Sequence, residues 1–315
     1  MQTQKQKTTP MRTTIGGQAL IEGVMMRGPY KTVAAVRKPD GAIECRELEP
    51  EHRKLPKWTK LPVIRGVFSF VSSMKLGYQA LMYSAEASGE EANEPESKFD
   101  RWLEAHFGDK IMPIAGAVGT VLGLALTVVL FMWLPAFLFN LIAGEGAHSG
   151  FGRSVFEGVF RLLIMLAYMI AISQLKDIHR VFEYHGAEHK TIFCYEHQLP
   201  LTVENARTFQ RFHPRCGTSF LVLMLLVGIV IGFFIHTPNP LLRTLIRLAL
   251  LPVTMGLGYE LIKLCGRYDN AFTRIIAAPG LWMQRITTKE PDDSMLEVAI
   301  RALEAVIPDD GADQM

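Results

Sequence analysis

One long stretch without charge constrains the fold of this chain more than any other feature. Residues 111–144 contain no Asp, Glu, Lys or Arg, and most of their side chains are apolar. About 20 such residues are enough to cross the hydrocarbon core of a bilayer as a helix. We therefore expect a transmembrane span here, tilted or broken near Pro135, because two spans and a turn would need a longer stretch.

Three further apolar stretches are long enough to span, although two of them contain charged residues. They cover residues 154–175, 218–235 and 241–262. Hydrophobic residues make up 49% of the chain, which also favours a protein that lies partly in lipid. The predicted fold class is mainly α: a polytopic membrane protein with about four transmembrane helices and a small cytoplasmic α/β module.

Basic residues predict the orientation of these spans. Lys and Arg are concentrated in residues 176–217, before the first span and after the fourth, whereas the two opposing loops contain only Arg153. Cytoplasmic loops keep the excess of basic residues, so we expect a cell-membrane protein with both termini in the cytoplasm. The polar start lacks the features of a cleaved signal peptide. The four cysteines show no pairing in their spacing, and we expect no disulfides.

The segment before the first span should contain a β-hairpin. Strand-like runs at 32–37 and 42–47 are joined by Pro39-Asp40-Gly41, which suits a tight turn. For the glycine-rich run at 16–29 we favour a tightly packed strand over a phosphate site. The predicted domains are a cytoplasmic module with the hairpin at 1–60, an amphipathic helix and acidic linker at 61–110, four spans with a His-rich cytoplasmic loop (176–217) at 111–262, and a cytoplasmic tail with a short amphipathic helix at 263–315.

A His-x-x-Glu-His motif in the His-rich loop is the clearest chemical signal. On a helix, His185 and His189 lie one turn apart on the same face, where two imidazoles can share a metal ion. Glu188 lies beside them in the sequence. This is the ligand pattern of the inverted zincins, in which two histidines hold zinc and the glutamate activates water. Gly186, inside the motif, weighs slightly against a regular helix.

A zinc site needs further protein ligands. The turn before the third span offers His213 and Cys216, whose imidazole and thiolate suit zinc. Glu196 would lie about 10 Å from His189 along the helix axis, too far to bind the same ion. If both His213 and Cys216 bind with the two histidines, the site is closed and structural. If only one of them binds, an open position lets Glu188 act as general base.

Other interpretations of these polar residues remain open. The imidazoles and carboxylates could form a hydrogen-bonded core without a metal. Glu260 and Asp269 could reach the loop as remote ligands, and His197 could serve as a ligand if the helix ended before it. His179 and Glu183 are expected to form a solvated pair on the helix surface.

Ionisable residues also lie at one end of the predicted spans. Arg153, Glu157 and Arg161 begin the second span, and Arg243 and Arg247 begin the fourth. Charges in a span need partners, so Glu157 should pair with Arg161 or with an arginine of another helix. Arginines that extend to the interface and an anion pocket for a lipid phosphate are both compatible with this pattern.

Five strings carry a resemblance to a known family. They are the glycine-rich run 16–29, HGAEHKTIFCYE at 185–196, LTVENAR at 201–207, FHPRCGTSF at 212–220, and residues 290–303. In this order and around these spans they resemble the YqhQ-like family of bacterial multi-pass membrane proteins over nearly the whole chain. The resemblance implies a metal-dependent enzyme whose substrate is not established. The first ten residues look like an extension of this chain.

Taken together, the sequence predicts a zinc-dependent integral membrane hydrolase that acts at the cytoplasmic face on an unknown substrate, such as a peptide or a phospholipid derivative. His185 and His189 would hold zinc with His213 or Cys216, and Glu188 would be the catalytic base. The alternative is a membrane scaffold or assembly factor whose loop is fixed by a structural metal or by hydrogen bonds. A small transporter fits less well, because paired repeats are absent from the sequence. The expected partners are the bilayer and a phospholipid headgroup or membrane protein, with no nucleic acid.

Overall fold

The computed structural model describes residues 11–48, 56–89, 111–143, 150–214, 216–237, 239–268 and 270–314, except for the side chains of 57 and 111–117. Contacts divide the chain into two compact units. The first comprises Met1–Gly89, Met169–Leu223 and Met255–Met315, and the second comprises Glu90–Tyr168 and Met224–Thr254. The acidic linker expected after Gly89, and Asp269, lie outside the described residues.

Helices make up most of the described chain, and a small sheet accompanies them, as the predicted mainly α fold class requires. The strands are β1 (Gly16–Leu20), β2 (Gly23–Arg27), β3 (Thr32–Arg37) and β4 (Ile43–Leu48). The α-helices are α1 (Ile64–Ser88), α2 (Ile111–Val128), α3 (Leu134–Ala143), α4 (Phe151–Ile172), α5 (Lys176–Glu196), α6 (Val203–Arg207), α7 (Gly217–Gly232), α8 (Pro240–Ala249), α9 (Leu251–Arg267), α10 (Ala271–Thr287) and α11 (Asp293–Glu304).

The sheet of the first unit is an antiparallel meander in the order β1-β2-β3-β4. The predicted hairpin is present as β3 and β4, with Arg37 opposite Ile43. Its turn requires glycine, because Gly41 adopts a φ of +86° that side chains disfavour. The glycine-rich run forms β1 and β2, which agrees with the preferred strand interpretation.

Both faces of this sheet are buried, and the side chains alternate between two cores. Val24 and Met26 of β2 pack with helices α5 and α11, while Met25 between them packs with α1 on the opposite face. Period-two alternation of this kind is the geometry of a β-strand. The first unit is therefore a three-layer structure, with α1 on one side of the sheet and α5 with α11 on the other.

The predicted His-rich loop consists largely of the regular helix α5. Gly186 does not interrupt this helix. A Cβ atom at Gly186 would lie 2.0 Å from the carbonyl oxygen of Lys289, so the glycine allows the chain after α10 to cross α5 closely. The crossing is fixed by the backbone N–H of Lys289, which donates to the carbonyl of Phe182 at 2.8 Å. The glycine thus serves packing between segments distant in sequence.

In the second unit, the helical run that contains Pro135 has an irregular segment. Val129–Trp133 is a π-helical turn between α2 and α3. Proline lacks the N–H that would bond to the carbonyl four residues earlier, which belongs to Phe131. Arg161 takes this place, since its Nε donates to the Phe131 carbonyl at 2.6 Å. The break expected near Pro135 is therefore a local bulge in a continuous helical run.

Two described helices are long and apolar enough to cross a membrane, Val118–Ala143 and Phe151–Ile172. A third candidate is the pair α8 and α9, which meet at a bend of 53°. The pair counts as one span if the two helices together form a broken transmembrane helix. Helix α7 is apolar, but with 16 residues it is shorter than these spans. Two or three candidate spans are compatible with membrane localisation.

Candidate metal centre

Helix α5 brings the two histidines of the motif together. His185 and His189 are one turn apart, and their ring centroids lie 4.5 Å from each other. Both side chains are buried, at 9% and 1% exposure. The predicted i, i+4 arrangement on one helix face is therefore present in the structure.

Backbone carbonyls orient both imidazole rings. His185 Nδ1 lies 2.8 Å from the carbonyl oxygen of Thr287, and His189 Nδ1 is hydrogen-bonded to the carbonyl of Arg211. A carbonyl oxygen only accepts, so each Nδ1 carries the hydrogen and each Nε2 has a free lone pair. This tautomer, fixed by a hydrogen bond at the other ring nitrogen, is the usual one for a histidine that binds a metal through Nε2.

Cys216 supplies the third group of the cluster. Its Sγ lies 3.1 Å from His185 Nε2, and the ligand atoms of His185, His189 and Cys216 all lie within 4.8 Å of one another. Burial opposes ionisation of this thiol. The neighbouring imidazole of His189 and hydrogen bonds from Thr218 outweigh burial, so the pKa of Cys216 lies below its ordinary value. A thiolate and two imidazole nitrogens form a donor set that suits zinc.

The Nε2 atom of His189 has a lone pair that receives no hydrogen bond within the described chain. This atom is buried and has no hydrogen-bond partner among the described residues. Burial also lowers the pKa of His189, which favours the neutral ring. A buried polar atom without a partner is costly, and a bound metal ion would satisfy it. The three residues therefore fit the metal that the sequence predicts.

Glu188 lies beside the cluster on α5 and is also buried, at 5% exposure. Burial raises the pKa of its carboxyl to about 7. Gly17 of β1 packs against it, since a Cβ atom at that position would lie 2.9 Å from the carboxyl carbon of Glu188. The glycine in β1 thus leaves room for the carboxyl group, a role that its sequence context alone does not reveal.

A cavity of about 640 Å³ opens on one side of these groups. Its polar lining includes the side chains of Glu188, His189 and Cys216, while Arg27 provides a positive charge at another point of the wall. Gln18, Ser69 and Ser73 add further polar groups. Apolar side chains line the other parts of the wall: Ile15, Met25, Phe70, Leu76, Ile192, Phe220 and Ile262. The cavity can therefore accept an amphiphilic molecule with a polar group near the cluster.

His213, the other predicted ligand, lines the same cavity but does not belong to the three-residue cluster of the described chain. Its Nε2 lies 3.5 Å from a carboxylate oxygen of Glu196. Its backbone is held by Gln284, whose amide group accepts from the His213 N–H and donates to the His213 carbonyl, both at 2.7 Å. The structure thus brings together His185, His189 and Cys216, with Glu188 beside them and His213 farther along the wall.

The remaining polar residues considered from the sequence lie elsewhere. Glu260 is paired with Arg65. His197 Nδ1 is bonded to the carbonyl of Phe193. His179 and Glu183 form the expected partly exposed pair, with 3.7 Å between His179 Nε2 and a carboxylate oxygen of Glu183. Sequence reasoning missed the supporting roles of Gln284 and Thr287, because both depend on contacts between distant segments.

Comparisons with known proteins agree with the resemblance noted in the sequence. Residues 61–309 match the family model described as "Protein of unknown function (DUF1385)". The chain is 35% identical over 294 residues to "Uncharacterized protein YqhQ" of Bacillus subtilis (strain 168), an alignment that covers 93% of this chain and 92% of the relative. No solved structure matches the chain. The chain belongs to the family of YqhQ-like proteins that this family model describes.

Proposed function

We propose that this protein is a zinc-dependent hydrolase of the cell membrane, with its site on the cytoplasmic side. The observation that carries the proposal is the buried His185–His189–Cys216 cluster beside a cavity that also contains Glu188. Three protein ligands and access from a cavity are typical of catalytic zinc sites, whereas structural sites have four ligands. His213 lies on the cavity wall, where it can contact substrate.

Each of the three proposed ligands offers one donor atom to the metal. His185 and His189 present Nε2, and Cys216 presents its thiolate. Thr287 and Arg211 keep the imidazoles in the required tautomer through their carbonyls. A zinc ion held there would supply Lewis-acid activation of water and of the bond to be cleaved.

Glu188 is the general base of the proposed reaction. The pKa of its buried carboxyl is near neutral, which suits a group that accepts and then releases a proton. Glu188 takes a proton from water as the water oxygen attacks the carbonyl or phosphoryl centre. It then returns the proton to the leaving group as the scissile bond breaks. Peptides and phospholipid derivatives both contain such bonds, and the apolar cavity walls favour amphiphilic members of either class.

A second function is favoured by one specific contact. His185 Nε2 and Cys216 Sγ are 3.1 Å apart, a distance at which the thiol can donate directly to the imidazole. In this case the cluster fixes α5 to the turn before α7, either by itself or through a structural metal. The protein would then be a membrane scaffold or assembly factor, and Glu188 would have no catalytic role.

Metal analysis of the purified chain is the first test. We expect about one zinc per chain after incubation with zinc and removal of excess metal. Cys216→Ser should reduce the zinc content by more than half, because a hydroxyl is a poor zinc ligand. The matched control is Cys45→Ser, since Cys45 is exposed and distant from the cluster in sequence. Both the enzyme and the structural-metal proposals fail if the wild-type chain neither contains nor gains a transition metal.

Glu188→Gln separates the enzyme from the scaffold. The substitution keeps the size of the side chain but removes the proton acceptor. For an enzyme, the variant should retain zinc and lose hydrolysis of a panel of fluorogenic peptides and phospholipid esters that the wild type cleaves. For a scaffold, Glu188→Gln should be tolerated, while His185→Ala should lower thermal stability.

The membrane topology is a separate part of the proposal. We assign four spans, with α7 and the α8–α9 pair as the third and fourth, and both termini in the cytoplasm. The excess of Lys and Arg in the predicted cytoplasmic segments supports this orientation. Cys45 is exposed and provides a natural label site. A membrane-impermeant maleimide should label Cys45 only after cells are permeabilised. Labelling of Cys45 in intact cells would contradict the assigned orientation.

A further inference from the structure

The second unit contains a buried group of charged side chains that the proposed reaction does not use, here termed the arginine cluster. Its members are Arg153, Glu157, Arg161, Arg243 and Arg247, each at most 8% exposed. Among the residues that the structure describes in this unit, Glu157 is the only acidic one. Four guanidinium groups thus surround one carboxylate, which leaves an excess of three positive charges in the arginine cluster.

Glu157 already accepts hydrogen bonds from three of these arginines. Arg153 Nε donates to one carboxylate oxygen at 2.9 Å, and Arg243 Nε donates to the other at 3.0 Å. Arg247 Nη2 donates to the same oxygen as Arg243. Arg161 Nη2 is farther away, at 3.6 Å. One carboxylate cannot accept from every donor of four arginines, each of which carries five N–H groups.

Several donors of the cluster are left without an acceptor. Arg247 Nε and Nη1, and Arg161 Nη2, are buried and have no hydrogen-bond partner within the described part of the chain. A buried charged donor without an acceptor is among the most costly features that a protein can contain. The arginine cluster therefore has both net charge and directed N–H groups available for a further, anionic acceptor.

Helix α8 presents these arginines in an inverted amphipathic arrangement. Its leucines Leu241, Leu242 and Leu245 are exposed, whereas Arg243 and Arg247 are buried. In water this arrangement would be unfavourable, because apolar side chains would face solvent and charges would face the interior. In a bilayer the leucines can contact lipid, and buried charges in such a setting mark sites for ions or substrates.

We propose that the arginine cluster binds a phosphate-type oxyanion. Guanidinium groups match phosphate because two parallel N–H groups can bond to two of its oxygens. A phosphate monoester or diester would satisfy the donors of Arg247 and Arg161 and reduce the positive excess. The proposal concerns a different unit from the metal centre and does not depend on zinc binding.

An adjacent cavity favours a lipid as the source of the phosphate. Ile235, whose carbonyl accepts from Arg243, also lines a cavity of about 530 Å³. The other walls of this cavity are largely apolar and include Ile231, Phe234 and Ile246. An acyl chain could occupy this space while its headgroup phosphate contacts the arginines. Free inorganic phosphate shares the same chemistry, and the experiment below separates the two.

Binding to the full, purified chain in neutral detergent tests the proposal. One arm measures radiolabelled inorganic phosphate by equilibrium dialysis. The other measures retention of phosphatidylglycerol by native mass spectrometry, with phosphatidylcholine as competitor. Arg247→Gln should weaken binding about tenfold or more, because charge-assisted hydrogen bonds are lost. Arg285→Gln is the matched control, since Arg285 is exposed on α10 and should leave binding unchanged.

The outcomes are distinct. Saturable binding of inorganic phosphate identifies a free anion site, and selective retention of phosphatidylglycerol alone identifies a lipid headgroup site. The proposal is overturned if the wild-type chain binds neither probe, or if Arg247→Gln binds as tightly as wild type. Should Arg247→Gln fail to fold, Arg247→Lys keeps the charge without the planar fork and should still bind more weakly than wild type.

Discussion

Replacement of Gly186 by alanine tests how closely the chain after α10 crosses helix α5. The added Cβ would lie 2.0 Å from the carbonyl oxygen of Lys289, whereas ordinary contacts begin at 3.4 Å. The backbone of Lys289 would have to retreat by about 1.4 Å, and its 2.8 Å hydrogen bond to Phe182 would be lost. This displacement is a backbone shift and cannot be relieved by rotation of a side chain.

Three terms decide the size of the effect. Overpacking costs about 1–3 kcal/mol, and the lost hydrogen bond costs about 1 kcal/mol. Alanine gains about 1 kcal/mol over glycine in a helix interior. We therefore expect Gly186→Ala to destabilise the folded chain by about 1–3 kcal/mol.

Thermal unfolding in detergent and resistance to proteolysis measure this loss. The matched control is Gly228→Ala in α7, where a Cβ atom meets nothing within 4 Å and helix propensity alone should act. If Gly186→Ala is as stable as wild type, or gains stability as the control does, the described crossing of α5 by Lys289 is incorrect.

Three further substitutions test other contacts. Val63 precedes α1 in a strained backbone conformation, with φ 69° and ψ −53°. Val63→Gly relieves this strain but loses a half-buried side chain, so thermal melts should show unchanged or raised stability. Gly158→Ala should cost about 1–3 kcal/mol because its Cβ would lie 2.4 Å from Ile229 Cγ1, and adding Ile229→Ala should recover part of this loss in a double-mutant cycle. Gln284→Met removes two buried hydrogen bonds to the His213 backbone and should cost about 2–4 kcal/mol, measured by denaturant unfolding. A neutral result for Gly158→Ala or Gln284→Met would contradict the corresponding contact, and a clear loss of stability in Val63→Gly would contradict the strain at that residue.

Local signals in the sequence were enough to predict several elements. The alternation around Pro39-Asp40-Gly41 predicted the hairpin of β3 and β4, because turn chemistry and strand periodicity act over a few residues. The apolar stripe beginning at Leu296 predicted a short amphipathic helix that docks on the module or on a partner; α11 is this helix, and it packs on the sheet. Its N-cap is Asp292, whose side chain accepts from the Met295 N–H.

The environment of the motif could not be derived from spacing. The sequence left His213 and Cys216 as equal candidates for the next ligand. In the structure Gln284 holds the His213 backbone, while Cys216 lies against His185. Which residue meets the histidines is thus decided by tertiary contacts, and Gln284 is distant in sequence from both candidates.

The candidate spans show the same limit. Composition predicted apolar helices at the correct places, but a hydropathy pattern does not show that Leu250 separates α8 from α9 with a bend of 53°. Nor does it show that four arginines converge on Glu157, because that arrangement depends on how α4 packs against α8.

The position of Thr287 has a consequence for biogenesis. Its carbonyl orients His185, yet the ribosome makes it about a hundred residues after the histidine itself, when the intervening hydrophobic helices have already been synthesised. A nascent chain can therefore display the motif for several seconds at ordinary translation speeds before the imidazole acquires its fixed tautomer. Termination between the motif and this threonine should yield a product whose His185 lacks this carbonyl partner.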